Sequence, residues 1–595
     1  MKKIALAIIA TGAMGALLIS AGLYYRQSQL QKLEASLQNL SAHIAENLTD
    51  RQLVEQLFMF LMPLPEAGEP GSLRPGAIFL NGNNIPVFPD QGQDMGLLRD
   101  YLGEIRRVYI EEGAPPPFVA LDQEGGPVRR IKTEMTQLPS QMAIGEAFAE
   151  SKQEDLPMLA GFYTCYDLRR HGIHWPLGPV LDVLSNVDNP VIAERSFSSD
   201  PHEVAHMAKA YLTGLHGARC PGAIKHFPGH GDTFLDSHTH LPVVDKSPEI
   251  LETMELSPFR EIILDEKKAD AVMSAHIIFP QKAKEPATLS SFWLSEKLRQ
   301  EWQFNGIIIT DDLAMNAITI YQKQNDIKNI FLEALHAGAD VLLYVASSKV
   351  NQKATASVLQ ALQSQEISRE RVLESVKRII YAKLKYGIMD EYLKQHAEAM
   401  PLELQQSADL IIRYSAEQDE NILVLESQLA RAESVNDFIS LAAIKTLVEE
   451  KPGQAPHTSL LLPFAQRQID IPRSYPSLVL YTDLPSSDPA YSRLAGRFFR
   501  VLPLSDLMNN QYNEDYRVIL HTGPTPLKTV LMRKGRQKAI IYTTHTPLPA
   551  NRYLPWIKEQ DYLITSFSQT EVSVRQLVEA ILMDKLPPRA HLTID

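Results

Sequence analysis

Along the chain, short runs of apolar residues alternate with longer helical stretches. The runs Gly76 to Leu80, Phe118 to Leu121, Gly222 to Lys225, Ala271 to Ala275, Gly306 to Thr310 and Val341 to Val345 read as strands, with a looser one from Val180 to Val183. Continuous apolar runs bounded by turns and separated by helices belong to strands buried on both faces, as in a parallel sheet with helices outside it. Repeated over residues 63–390, this pattern predicts a (β/α)8-type barrel rather than an open sheet. Residues 27–62 read as a polar-rich helical segment, and 391–408 as a polar helical linker. A second α/β unit, an open sandwich over 409–595, is expected from the runs Ile422 to Leu425, Ser459 to Leu462, Leu478 to Tyr481, Val518 to His521, Ala539 to Tyr542 and Tyr562 to Ile564. A helix from about Glu571 to Met583 closes it, and no strong chemical motif lies inside it.

The first 26 residues differ from all of this. Lys2 and Lys3 precede an uncharged stretch from Ile4 to Tyr25, ended by Arg26. That length suits a membrane-spanning helix better than a secretory h-region, and an Ala-x-Ala cleavage site is not evident. Residues 1–26 are therefore expected to be an uncleaved anchor, with the rest of the chain on the outer side of the cytoplasmic membrane, in the periplasm. A cleaved signal peptide is the alternative.

Composition narrows the function classes. The chain has 595 residues, 45% of them hydrophobic and 22% charged, which is ordinary for a globular protein. A net charge of -13 and the lack of a basic stripe disfavour nucleic-acid binding. The two cysteines, Cys165 and Cys220, lie amid apolar or aromatic neighbours and are expected to be small buried thiols.

Most of the apolar runs carry a polar residue at or just past their C-terminal end: Asn81, Asp122, Asp182, His226, His276 and Asp311. In a barrel those positions converge on one face, where catalysis takes place. The densest signal is Lys225-His226-Phe227-Pro228-Gly229-His230-Gly231-Asp232-Thr233, continuing through Asp236-Ser237-His238. So many polar side chains directly after a strand predict a loop over the barrel mouth. In Asp236-x-His238 the carboxylate can orient the imidazole and raise its basicity, which suits a proton donor and acceptor. Asp311 stands first after its strand and is the natural nucleophile, whereas Asp312 suits a helix cap equally well.

With Asp122-Gln123-Glu124-Gly125-Gly126, Gly178-Pro179-Val180-Leu181-Asp182-Val183, Asn189-Pro190-Val191-Ile192 through Glu194-Arg195-Ser196-Phe197, the Lys225 to His238 loop, and Thr310-Asp311-Asp312-Leu313 in this order, the sequence resembles glycoside hydrolase family 3. It resembles in particular the β-N-acetylglucosaminidase branch, because the histidine loop separates that branch from the family's β-glucosidases. The resemblance implies a retaining exo-hydrolase acting on terminal β-linked N-acetylglucosamine of cell-wall fragments, with no cofactor and no metal. It implies Asp311 as nucleophile, His238 as acid/base with Asp236 as its partner, and Asp122, Arg130, Arg195, Lys225 and His226 as the residues that hold the sugar. Pro127 stands where the motif usually has arginine. Three alternatives compete: a family β-glucosidase or xylosidase, a metal-dependent hydrolase using the histidine-rich loop, and an inactive wall-binding scaffold. The glycan and, through residues 1–26, the membrane are the partners expected; the sequence leaves the oligomeric state open.

Overall fold

The computed structural model of the protein describes residues 27–62, 73–88 and 92–428, apart from positions 137, 152–154, 187, 238 and 267–268, and six strands in the C-terminal region. Residues 27–47 form a helix. Strand β1 (Phe58–Leu61) follows, then β2 (Ala77–Leu80), β3 (Phe118–Leu121), β4 (Trp175–Pro176), β5 (Ala223–Phe227), β6 (Ala271–Ser274), β7 (Ile307–Thr310) and β8 (Leu342–Tyr344). All their pairings are parallel, in one sheet of order β8-β1-β2-β3-β4 and another of order β7-β6-β5. Isolated parallel bridges join the two sheets, Val180 to Lys225 at one side and Ile309 to Val341 at the other.

The strands are apolar throughout because both of their faces are buried. Met59, Phe79, Phe118, Ala120, Met273, Ile307, Ile309 and Leu343 pack together on one side. Alternate positions such as Phe58, Phe60, Ile224, Val272, Ile308 and Leu342 join the core that the helices cover. Since side chains alternate across a strand, a four-residue run supplies both layers. The helices Asp155–Arg170 and Pro201–Gly217 pack on each other at close range. A Cβ on Gly161 would lie 2.1 Å from the Tyr211 carbonyl oxygen, and one on Gly214 would lie 1.9 Å from that of Met158.

The structure departs from the sequence expectations in four places. The segment 27–62 is not helical throughout: its end is β1, paired with both β2 and β8. That run is short and abuts the helix Asp50–Gln56, so hydrophobic periodicity alone cannot separate the two. The run from Ile422 to Leu425 is not a strand but part of the helix Leu402–Gln428, with Leu423 and Val424 exposed. The run Val180 to Val183 contributes one bridge, while the strand lies just before it at Trp175–Pro176. Finally, Cys165 and Cys220 are not two thiols but one disulfide, tying the helix Asp155–Arg170 to the segment entering β5. The cysteines are 55 residues apart in sequence, and only the packing of the helices brings their Cα atoms to 5.8 Å.

In the C-terminal region, β9 (Lys445–Val448), β10 (Val479–Thr482), β11 (Arg500–Pro503), β12 (Tyr516–His521), β13 (Lys538–Thr543) and β14 (Tyr562–Thr565) form a sheet of order β9-β14-β13-β12-β10-β11. Only the β9 to β14 pairing is antiparallel. The expected run Ser459 to Leu462 and the closing helix from Glu571 lie outside the described residues, as does the expected anchor over 1–26. Among the described residues no helix is long and apolar enough to cross a membrane.

Candidate active site

A cavity of about 140 Å³ opens where β3, β5, β6, β7 and β8 end, lined by Asp122, Arg130, Arg195, Lys225, His226 and Asp311 among others. Asp122 follows β3 and Asp311 follows β7, each at the first position past its strand. Lys225 and His226 are consecutive in β5, yet both reach the cavity. The register between β5 and β6 shifts between Ile224 and Phe227, and such a bulge re-aims side chains at a strand end.

Lys225 is 1% exposed in its side chain. Its Nζ lies 2.7 Å from Asp122 Oδ1 and 2.6 Å from Glu124 Oε1. Burial alone would push its ammonium toward the neutral form; the two carboxylates outweigh that and raise its pKa above the ordinary lysine value. Glu124 is also gripped by Arg195, with Nε 2.8 Å from Oε2 and Nη2 2.9 Å from Oε1. Burial disfavours the Glu124 carboxylate, but Arg195 and Lys225 prevail and hold it ionised well below the usual range. Arg130 stands 3.6 Å from the other oxygen of Asp122.

His226 is fixed from behind. Its Nδ1 lies 2.6 Å from Asp182 Oδ2, and its backbone N–H donates to Asp182 Oδ1 at 3.1 Å. Asp182 is fully buried, which opposes its charge, yet the neighbouring His226 and His230 hold its pKa below the ordinary carboxylate value. With its Nδ1 facing Asp182, His226 has Nε2 turned the other way, 3.4 Å from Arg195.

Asp311 is set by its backbone, whose N–H donates to the Ser274 carbonyl oxygen at 3.2 Å, while its Oδ1 accepts from the Asp312 N–H at 2.8 Å. Asp312 does structural work: its Oδ1 accepts from the N–H groups of Ala314 and Val345, each at 2.9 Å. His276, one of the residues at the strand ends, pairs with Thr288 Oγ1 and the Asp312 carbonyl oxygen outside the cavity lining. Asn81 belongs to a turn, its N–H donating to Asn84. Asp236 is half-buried, and its carbonyl oxygen accepts from the N–H groups of Thr239 and His240. His238 lies outside the described residues.

Residues 76–382 match the glycosyl hydrolase family 3 N-terminal domain. The chain belongs to that family. The β-hexosaminidase of Tolumonas auensis is 35% identical over 289 residues, covering 48% of this chain and 82% of that protein. The β-hexosaminidase of Idiomarina loihiensis is 34% identical over 263 residues, covering 44% of this chain and 76% of that one. A family 3 β-N-acetylglucosaminidase from Paenibacillus sp. str. FPU-7 superposes with a TM-score of 0.70 at 25% identity, over 92% of this chain and 100% of that one.

In this family 3 chain one cavity brings together Asp122, Arg130, Arg195, Lys225, His226 and Asp311, all expected from the sequence, whereas Glu124 and His230 appear there only within motifs and Asp182 only within a motif and as a strand-end residue, none with a role in the site. Glu124 is two residues from Asp122 inside a motif already noted, and the signal that could have found it is the number of cations nearby that require a buried anion. Among the described residues no group of three or more His, Cys, Asp or Glu side chains is arranged to hold a metal.

Beside Arg195, Glu194 is buried, and one of its carboxyl oxygens has no hydrogen-bond partner. Burial raises its pKa to about 8. The folded protein thus keeps a proton that the unfolded chain releases near the ordinary value of about 4.3. Its contribution to stability is complete below that value and is lost as pH rises to about 8, by up to about 1.4 kcal/mol per pH unit. Glu194→Gln lacks this loss, so the variant's melting temperature should gain on the wild type's between pH 5 and pH 8. A constant difference across that window would show that Glu194 titrates normally.

Proposed function

We propose that this family 3 hydrolase is a retaining exo-β-N-acetylglucosaminidase that removes terminal β-linked N-acetylglucosamine from cell-wall fragments. The observation that carries the reading is the cavity itself, with Lys225, His226, Arg195, Arg130 and Asp122 around Asp311. These are paired donors and acceptors suited to the hydroxyl groups of a sugar, next to a carboxylate at a strand end. A cavity of about 140 Å³ is smaller than most ligand pockets and suits one terminal sugar ring better than a run of them. The names borne by the relatives, β-hexosaminidase and β-N-acetylglucosaminidase, support the same specificity. A β-glucosidase or xylosidase specificity has no comparable support. The order of the strand pairings, with its two bridges, supports a closed (β/α)8 barrel, and the C-terminal sheet supports a second, sandwich-type domain.

In the mechanism the Asp311 carboxylate attacks the anomeric carbon as the bond to the leaving oxygen breaks, and His238, oriented by Asp236, gives that oxygen its proton. His238 then takes a proton from water, the water oxygen attacks the same carbon, and Asp311 is released, so configuration is retained. With histidine as the acid, the attacking carboxylate does not face a second anion. The chain is placed on the outer side of the cytoplasmic membrane, held by residues 1–26. The disulfide between Cys165 and Cys220 supports this placement, because such bonds persist in oxidising compartments.

The direct test is hydrolysis of chromogenic N-acetyl-β-glucosaminide beside the β-glucoside and β-xyloside; preference for either of the latter would overturn the specificity. Asp311→Ala should lower turnover roughly a thousandfold or more with an unchanged melting temperature. A labelled glycosyl ester recovered on another residue would refute the nucleophile. His238→Ala should cost roughly 100-fold on a disaccharide and far less on an activated aryl glycoside, whose leaving group departs without a proton. Equal losses would reduce His238 to a binding role. In cell fractions the protein should stay with the membrane through salt and carbonate washes; recovery of full-length protein in the cytosol would defeat the placement.

A further inference from the structure

We propose that His230 and Ser237 are positioning residues that brace the loop carrying the acid/base His238, an inference that rests on the role given to His238 above. In the loop after β5, Asn186 and Asn189 hold the backbone of His230, Gly231 and Thr233 from outside, and the His230 ring forms a crosspiece between Thr233 and Ser237. Its Nδ1 lies 2.8 Å from Thr233 Oγ1 and its Nε2 lies 3.1 Å from Ser237 Oγ. The Thr233 hydroxyl also reaches the His230 carbonyl oxygen at 3.1 Å; we assign its proton there, which makes Nδ1–H the donor to Thr233 and leaves Nε2 to accept from the Ser237 hydroxyl. This tautomer needs a neutral ring, and burial, helped by His226, does lower the His230 pKa to about 4.

Both ends of the brace are anchored. The His230 N–H donates to Asp182 Oδ1 at 2.7 Å, the carboxylate that also holds His226. The Ser237 carbonyl oxygen accepts from the Ala317 N–H at 3.3 Å. His230, Thr233 and Ser237 are buried, whereas Phe234 and Leu235 between them stand 70% and 45% exposed. Apolar packing therefore does not hold this stretch; the hydrogen bonds do. Ser237 immediately precedes His238 in the sequence, so the brace ends one residue before the acid/base. One buried carboxylate, Asp182, thus sets both the sugar-binding histidine and the loop that delivers the proton.

Ser237→Ala removes one end of the brace and one oxygen atom. Its kcat on a β-linked N-acetylglucosamine disaccharide should fall roughly tenfold more than its kcat on the 2,4-dinitrophenyl glycoside, with KM for both within about twofold of wild type. Ser237→Thr, which restores the hydroxyl, should recover most of the loss. His230→Asn keeps a donor toward Thr233 while dropping the contact to Ser237, and it should show the same leaving-group dependence. Equal losses on both substrates, a change confined to KM, or no loss at all would overturn the proposal. Wild type inactive on both substrates would instead overturn the activity reading, and His238→Ala without leaving-group dependence would overturn the acid/base role; either removes the basis of this inference as well.

Discussion

A fully buried lysine cation organises this site. Lys225 is taken out of water at the end of β5 and is tolerable there only because Asp122 and Glu124 meet it at 2.7 and 2.6 Å. Removing one member of such a buried set leaves a charge uncompensated, at a cost of about 3–5 kcal/mol, although the intact set adds little net stability. Its value is geometric. Asp122 and Glu124 come from the end of β3, Lys225 from β5, and Arg195 from the short turn Ala193–Arg195, so the ion pairs clamp three parts of the chain around one cavity.

The histidines divide along the same lines. His226 and His230 share Asp182, and their ring centroids are 5.8 Å apart. Both line the cavity, His226 beside Arg195 and His230 with its ring nitrogens toward Thr233 and Ser237. A loop of this composition looks from sequence alone like a set of metal ligands. Both ring nitrogens of His230 are taken up by Thr233 and Ser237, and Arg195 stands 3.4 Å from His226 Nε2, where a metal would meet a neighbouring cation.

Two closely packed helices and a disulfide lie ahead of β5. Gly161 and Gly214 let the helices Asp155–Arg170 and Pro201–Gly217 approach without side chains between them, and the disulfide from Cys165 to Cys220 closes the same region. The strand that carries both Lys225 and His226 is thus fixed at its entry by a covalent bond and at its exit by ion pairs.

By itself the sequence determined the strands whose apolar runs are long enough to stand out, and the residues that follow them. Asp122, Lys225, His226 and Asp311 were legible because parallel strands place their C-terminal ends together, whatever the details of packing. Where a run was short or lay against a helix, as at β1 and at Ile422 to Leu425, periodicity could not choose between helix and strand. Tertiary structure alone decided that Cys165 meets Cys220, that Glu124 is the shared counter-ion of Lys225 and Arg195, and that the His230 ring, in the cavity lining, has its two nitrogens beside Thr233 and Ser237. Each of these joins residues distant in sequence or picks one orientation of a side chain, and local patterning has no term for either.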